Sequence, residues 1–141
     1  MTNSSLARSY LKKASIRLSL LRILQGKKAY SDVVREAQEI VELALKGMLR
    51  QVGVEPPKWH DVGSLLVRHA DRFETRVRER IPRLAEASSW LRGEREMSFY
   101  GDVDFIPTEE YREEHGRRAM AEARFVVGTA RRVIRPGRRG N

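Results

Sequence analysis

The chain has no cysteine among its 141 residues. That excludes disulfides, thiolate metal sites and a cysteine nucleophile, and it fits a reducing, cytoplasmic setting. No apolar run approaches the roughly 20 residues of a membrane-spanning helix, so no membrane association is expected. The opening MTNSSLARSYLKKAS lacks the uninterrupted apolar core and cleavage site of a secretory signal. Histidine is scarce: His60, His69 and His115 form neither an HExxH nor a closely spaced pair, so no metal and no bound cofactor is expected. Period-two alternation and Asn-Gly hairpin signals are missing, which leaves no good strand. There is also no phosphate-binding glycine loop and no Ser-His-Asp spacing.

Positive charge is abundant. Lys and Arg number 28 against 19 Asp and Glu, a formal charge of +9. Such a balance favours anionic partners: nucleic acid, nucleotides or an acidic protein. Part of the excess belongs to the tail, because RRVIRPGRR at 131–139 carries five arginines. A chain of this length most simply forms one domain, and it buries about two-thirds of its unfolded surface without needing staples.

Helical periodicity runs through the whole sequence. A first helix over about 4–25 places Leu6, Tyr10, Leu11, Ala14, Leu18, Leu21 and Ile23 or Leu24 in one stripe. Gly26 suits a left-handed C-cap, and Ser31 suits the next N-cap. The second helix, about 31–52, has the widest stripe, from Val33 and Val34 through Ala37, Ile40, Val41, Ala44, Leu45, Met48 and Leu49 to Val52. Ala37 and Ala44 would let a neighbouring helix approach closely. Gly53 and the prolines of EPPKWH then impose an extended connector.

A short third helix over about 61–73 is expected to start at Asp61 as N-cap. Pro82 is expected to open the next helix rather than sit inside it. That helix would bury Leu84, Ala87, Ser88 and Leu91 and run to about Ser98. After the loop YGDVDFIPTEEY, Thr108 would cap the last helix, with Glu109 and Glu110 favourable for its dipole. Ala119, Ala123, Val126, Val127, Ala130 and Val133 carry its stripe to about 134. The expected architecture is therefore an all-α, up-and-down bundle of four to five helices over 1–134. A basic tail at 135–141 is expected to be disordered.

The residues with chemical potential concentrate in EREMSFYGDVDFIP. Arg95 and Ser98 share a helix face, with Tyr100 and Asp102 just beyond the helix end. Arginine grips phosphate bidentately, and tyrosine can stack on a base or donate to phosphate. A purely structural alternative pairs Arg95 with Asp102 and packs Tyr100 beneath. Asp102 and Asp104 also form the Asp-x-Asp of a magnesium-dependent nucleotidyltransferase. That enzyme needs a Gly-Ser turn about a dozen residues upstream, however, and Gly63-Ser64 is too distant. Asp102 reads equally as a turn residue bonded to local backbone. His60 reads as a backbone partner at a helix entry, and His115 as solvated.

Three stretches carry a resemblance to a known family. They are YLKKASIRLSLLRILQGKKAYSDVVREAQEIVELALKGMLRQVGVEPPKWHDVGSLL, then LRGEREMSFYGD, then IPTEEYREEHGRRAMAEARFVV. Together they resemble a HEPN domain, the prokaryotic stand-alone form, over about residues 5–134. The most specific part is AQEIVELALKGML followed by a proline connector and HDVGSLL. The resemblance implies a four- or five-helix bundle that forms a homodimer, often beside a minimal nucleotidyltransferase partner in a toxin–antitoxin pair. Many such proteins are metal-independent ribonucleases. Their motif is Arg, four to six residues, then His, with two copies meeting across a dimer cleft. The RNA 2′-hydroxyl attacks the adjacent phosphate, His moves the proton and Arg stabilises the developing charge. Some are silenced when the partner adds AMP to a tyrosine near the motif.

Arg95 matches the motif arginine, but Tyr100 and Asp102 stand where the histidine would be. A tyrosine, with an ordinary pKa of about 10, is a poor general base at neutral pH. Three readings follow. The first is a dimeric module binding nucleotide or RNA phosphate through Arg95, Ser98 and Tyr100. The second is a metal-independent endoribonuclease using Arg95 with Tyr100 or Asp102 as catalytic groups. The third is a structural helical adaptor.

Overall fold

The computed structural model describes residues 3–56, 58 and 61–134, apart from the side chain of Glu96. It is all-helical. Helix α1 spans Asn3–Gly26, α2 Tyr30–Gln51, α3 Val62–Arg68, α4 Thr75–Phe99, α5 Pro107–Glu110 and α6 Glu113–Val133, with a 3-10 turn at Ala70–Arg72 between α3 and α4. No strand forms among the described residues; the one β-type pairing is an isolated bridge between Asp102 and Phe105. Among those residues no helix is long and apolar enough to cross a membrane.

Helix α2 is the hub, packing on α1, α6 and α4. Its wide apolar stripe requires this position: Val33, Val34, Ala37, Ile40, Ala44, Leu45, Met48 and Leu49 are all fully buried. Small side chains set the spacing. At Gly47 a Cβ would stand 2.9 Å from Ile134 Cδ1 and 3.3 Å from the Ala7 carbonyl, so α1 and α2 close on each other only where position 47 carries no side chain. From α6, Ala119, Ala123, Val126, Val127 and Ala130 complete the core. On α1 the stripe turns inward through Ala7, Ala14 and Leu21, while Ile23 is exposed and Leu24 packs against the core.

Several expected boundaries move. Pro82 lies inside α4 instead of opening a helix. Pro82 is exposed, and the carbonyl that loses its N–H partner to it belongs to the exposed residue Arg78. Val77, Ile81 and Leu84 are buried on both sides of it, and their packing holds the helix continuous. Ser31 is not a cap either. Helix α2 starts one residue earlier, from Ala29, and Ser31 is buried within it. The left-handed residue after α1 is Lys28, at φ 61°, not Gly26. Thr108 falls in the short α5, and α6 begins after Arg112. Asp61 does cap α3, its carboxylate accepting from the Gly63 N–H at 3.0 Å. His60 and the tail at 135–141 lie outside the described residues.

Candidate functional site

The last turn of α4 and the loop to α5 display the Arg95 group. Arg95 projects from α4 toward α2, where its Nη2 lies 3.3 Å from Glu39 Oε1; half of its side chain remains exposed (52%). Glu39 is shared, because Arg35 one turn back on α2 holds the same oxygen. The Arg35 guanidinium in turn lies over the Phe99 ring, 5.2 Å from its centroid. Phe99 meets Tyr100 edge-to-face at 4.8 Å. Tyr100 is 73% exposed and so is not packed beneath anything. Neither half of the purely structural alternative therefore describes this end: the partner of Arg95 is Glu39, not Asp102, and Tyr100 stands out in solvent.

Asp102 is occupied locally. Its backbone exchanges both hydrogen bonds with Phe105, at 3.0 Å each, and its carboxylate accepts from the Asp104 N–H at 2.9 Å. Gly101 makes this turn possible. It sits at φ +65°, and a Cβ there would lie 2.3 Å from the Phe105 carbonyl oxygen. Ser98 faces inward (1% exposed), its hydroxyl donating to the Arg95 carbonyl at 2.9 Å. It is therefore positioned to hold the turn that carries Arg95. The end of α4 and the loop after it also expose Phe99, Tyr100, Val103 and Ile106, Val103 almost completely.

Two residues that sequence reasoning passed over brace this loop. The Tyr111 hydroxyl donates to the Glu94 carboxylate, tying the start of the last segment to the turn that carries Arg95. Burial, then this hydrogen bond, then the Glu94 charge hold the Tyr111 phenol well above its ordinary pKa. Tyr111 also packs edge-on to Phe105 and to His115, at 5.7 and 5.3 Å. His115 is not a free imidazole: its Nδ1 accepts from the Arg112 N–H at 2.9 Å, closing the first turn of α6. Arg92 adds a third tie, to the α3 cap Asp61 at 2.9 Å. Among the described residues, no three His, Asp or Glu side chains gather as a metal site would require.

A helical bundle packed around a central helix places the chain among small all-α domains. The family model of the HEPN domain matches residues 7–135, nearly the entire chain. The chain therefore belongs to the HEPN domain family, which is generally connected with nucleotides and RNA. Comparison with curated proteins returns no match.

Proposed function

We propose that the chain is a nucleotide- or RNA-binding HEPN module, acting in the cytoplasm as a dimer with a minimal nucleotidyltransferase partner. The observation that carries this reading is a half-exposed arginine and two exposed aromatics gathered at one helix end: Arg95 in the last turns of α4, Phe99 one turn on and Tyr100 just after it. A guanidinium grips a phosphate, and a neighbouring ring stacks on a base or donates to the same phosphate. Ser98 supports the site from within, through the Arg95 carbonyl. The exposed Tyr100 hydroxyl is also the group that a partner transferase would modify. Asp102, occupied by its own turn, contributes shape rather than a proton acceptor.

The deciding measurement is RNA binding and RNA cleavage in EDTA by wild type, Arg95→Ala and Tyr100→Phe. Under this reading wild type binds without cleaving, and Arg95→Ala weakens binding roughly tenfold, as expected for losing a charge-assisted contact. Metal-free cleavage that vanishes in Arg95→Ala would replace the binding module with a ribonuclease built on Arg95 and Tyr100. Unchanged binding in Arg95→Ala would leave the helical adaptor.

A further inference from the structure

A second basic feature lies on different elements. Between α1 and α6 runs a groove of about 350 Å³ lined by Ser15, Leu18, Ser19, Arg22, Arg124 and Arg131. It shares no residue with the Arg95 cluster. On α1, Ser15, Ser19 and Arg22 follow the i, i+4, i+7 spacing of one helix face, and on α6 Arg124 and Arg131 do the same. The Arg131 Nη2 donates to Ser15 Oγ at 3.3 Å across the groove.

Nine arginines of this bundle are held by a carboxylate or lie over a ring. Arg17, Arg35, Arg50, Arg83, Arg92, Arg95 and Arg117 are ion-paired, and Arg80 and Arg118 lie over aromatic rings. Among the described residues, no carboxylate pairs with Arg22, Arg124 or Arg131. The surroundings sharpen the contrast, because residues 1–31 hold seven basic side chains and no acidic one. The C-terminal end of α6 contributes about half a negative charge near Arg131. Three full positive charges outweigh it. Between Arg124 and Arg131 on the same face stands Gly128, where a Cβ would meet nothing within 4 Å. Neither packing nor a positive φ calls for glycine there, yet glycine inside a helix costs about 1 kcal/mol relative to alanine. Its bare position leaves open space on the face that carries the two arginines.

We propose that this groove is a second anion site, and that it takes a phosphate group. The Ser19 hydroxyl donates to the Ile16 carbonyl at 2.6 Å, but three guanidiniums and the Ser15 hydroxyl still offer more donors than the two oxygens of a carboxylate can use. The three or four oxygens and higher charge of a phosphate match them better. The phosphate is either the terminal group of a small phosphorylated ligand or a backbone phosphate of RNA; the chemistry of recognition is the same. The site stands independently of the role proposed for Arg95.

The test uses the full chain at physiological salt with two probes: inorganic pyrophosphate by calorimetric titration, and a short labelled single-stranded oligoribonucleotide by fluorescence anisotropy. The variants are the Arg22→Ala/Arg124→Ala double, Gly128→Leu to fill the groove, and Arg95→Ala as the control for the other site. Circular dichroism confirms that each is folded. The double variant should weaken at least one probe by at least about tenfold, from the loss of charge-assisted contacts. Gly128→Leu should weaken the same probe. Loss confined to pyrophosphate assigns a free phosphoryl group, and loss confined to the oligonucleotide assigns the RNA backbone. Arg95→Ala leaves pyrophosphate affinity unchanged if the two sites are separate, so either site can fail alone. If neither probe binds, or if both folded groove variants bind like wild type, the proposal is overturned.

Discussion

The phenol of Tyr111 shows how one side chain couples stability to the shape of the candidate site. Its bond to Glu94 closes the loop that presents Tyr100, and the folded state holds its pKa above the ordinary value of about 10. Below that ordinary value both folded and unfolded chains keep the proton, and the contribution to stability is complete. Above it the unfolded chain releases the proton while the folded chain retains it, so the contribution shrinks and is lost as pH passes through the raised folded value. Tyr111→Phe should therefore cost about 1.5 kcal/mol at pH 8, the size of a hydrogen bond to a charged group. The gap between wild type and variant should narrow above pH 10, as read by urea denaturation at both pH values. A gap independent of pH would refute this account. The pair was not legible in the sequence: Glu94 and Tyr111 are 17 positions apart, and only the fold brings them together. The same holds for Arg95 and Glu39, whereas the Arg95–Tyr100 neighbourhood could be read directly, since both residues sit at one helix end.

At the scale of elements, what periodicity encodes could be read and what tertiary contact decides could not. The stripe of α2 runs for six turns, and the helix lies within one residue of where that stripe implies. Pro82 misled because its propensity is local, whereas the continuity of α4 comes from Val77, Ile81 and Leu84 packing on α2 and α6. Proline within a helix costs about 3 kcal/mol against alanine, partly returned through its stiffer unfolded chain. Since Pro82 is exposed, Pro82→Ala should stabilise the bundle by about 1–2 kcal/mol, seen as a higher denaturation midpoint with unchanged slope. Destabilisation would mean that the proline sets a bend on which the α4 packing depends.

For the whole molecule, the all-α class, the four long helices and the family were accessible from the sequence, because an all-helical bundle repeats one signal from end to end, whereas the short α5 and the 3-10 turn at Ala70–Arg72 were not. The distribution of charge was accessible only in part. The arginine tail stands out in the linear sequence, but the groove between α1 and α6 draws on residues more than 100 positions apart. Exposed apolar side chains follow the same pattern. Ile16, Leu20 and Ile23 on α1 fit a helical stripe as well as the buried ones do, and only the packing of α1 on α2 decides which stripe faces inward.

Because Glu39 holds both Arg35 and Arg95, the Arg95 site carries a built-in competitor. Under the proposed function an incoming anion competes with Glu39 for Arg95, and the exchange is inexpensive: a half-exposed ion pair is worth only about 0–1 kcal/mol, and the carboxylate released from Arg95 keeps Arg35 as its counter-ion. Glu39→Gln should thus tighten RNA binding at Arg95 by a fewfold, measured by anisotropy, and weaker binding would show that Glu39 orients the arginine instead of occupying it. Without a ligand, Arg95 is already held by the protein's own carboxylate, and on the proposed function ligand affinity would be set by the difference between two anions.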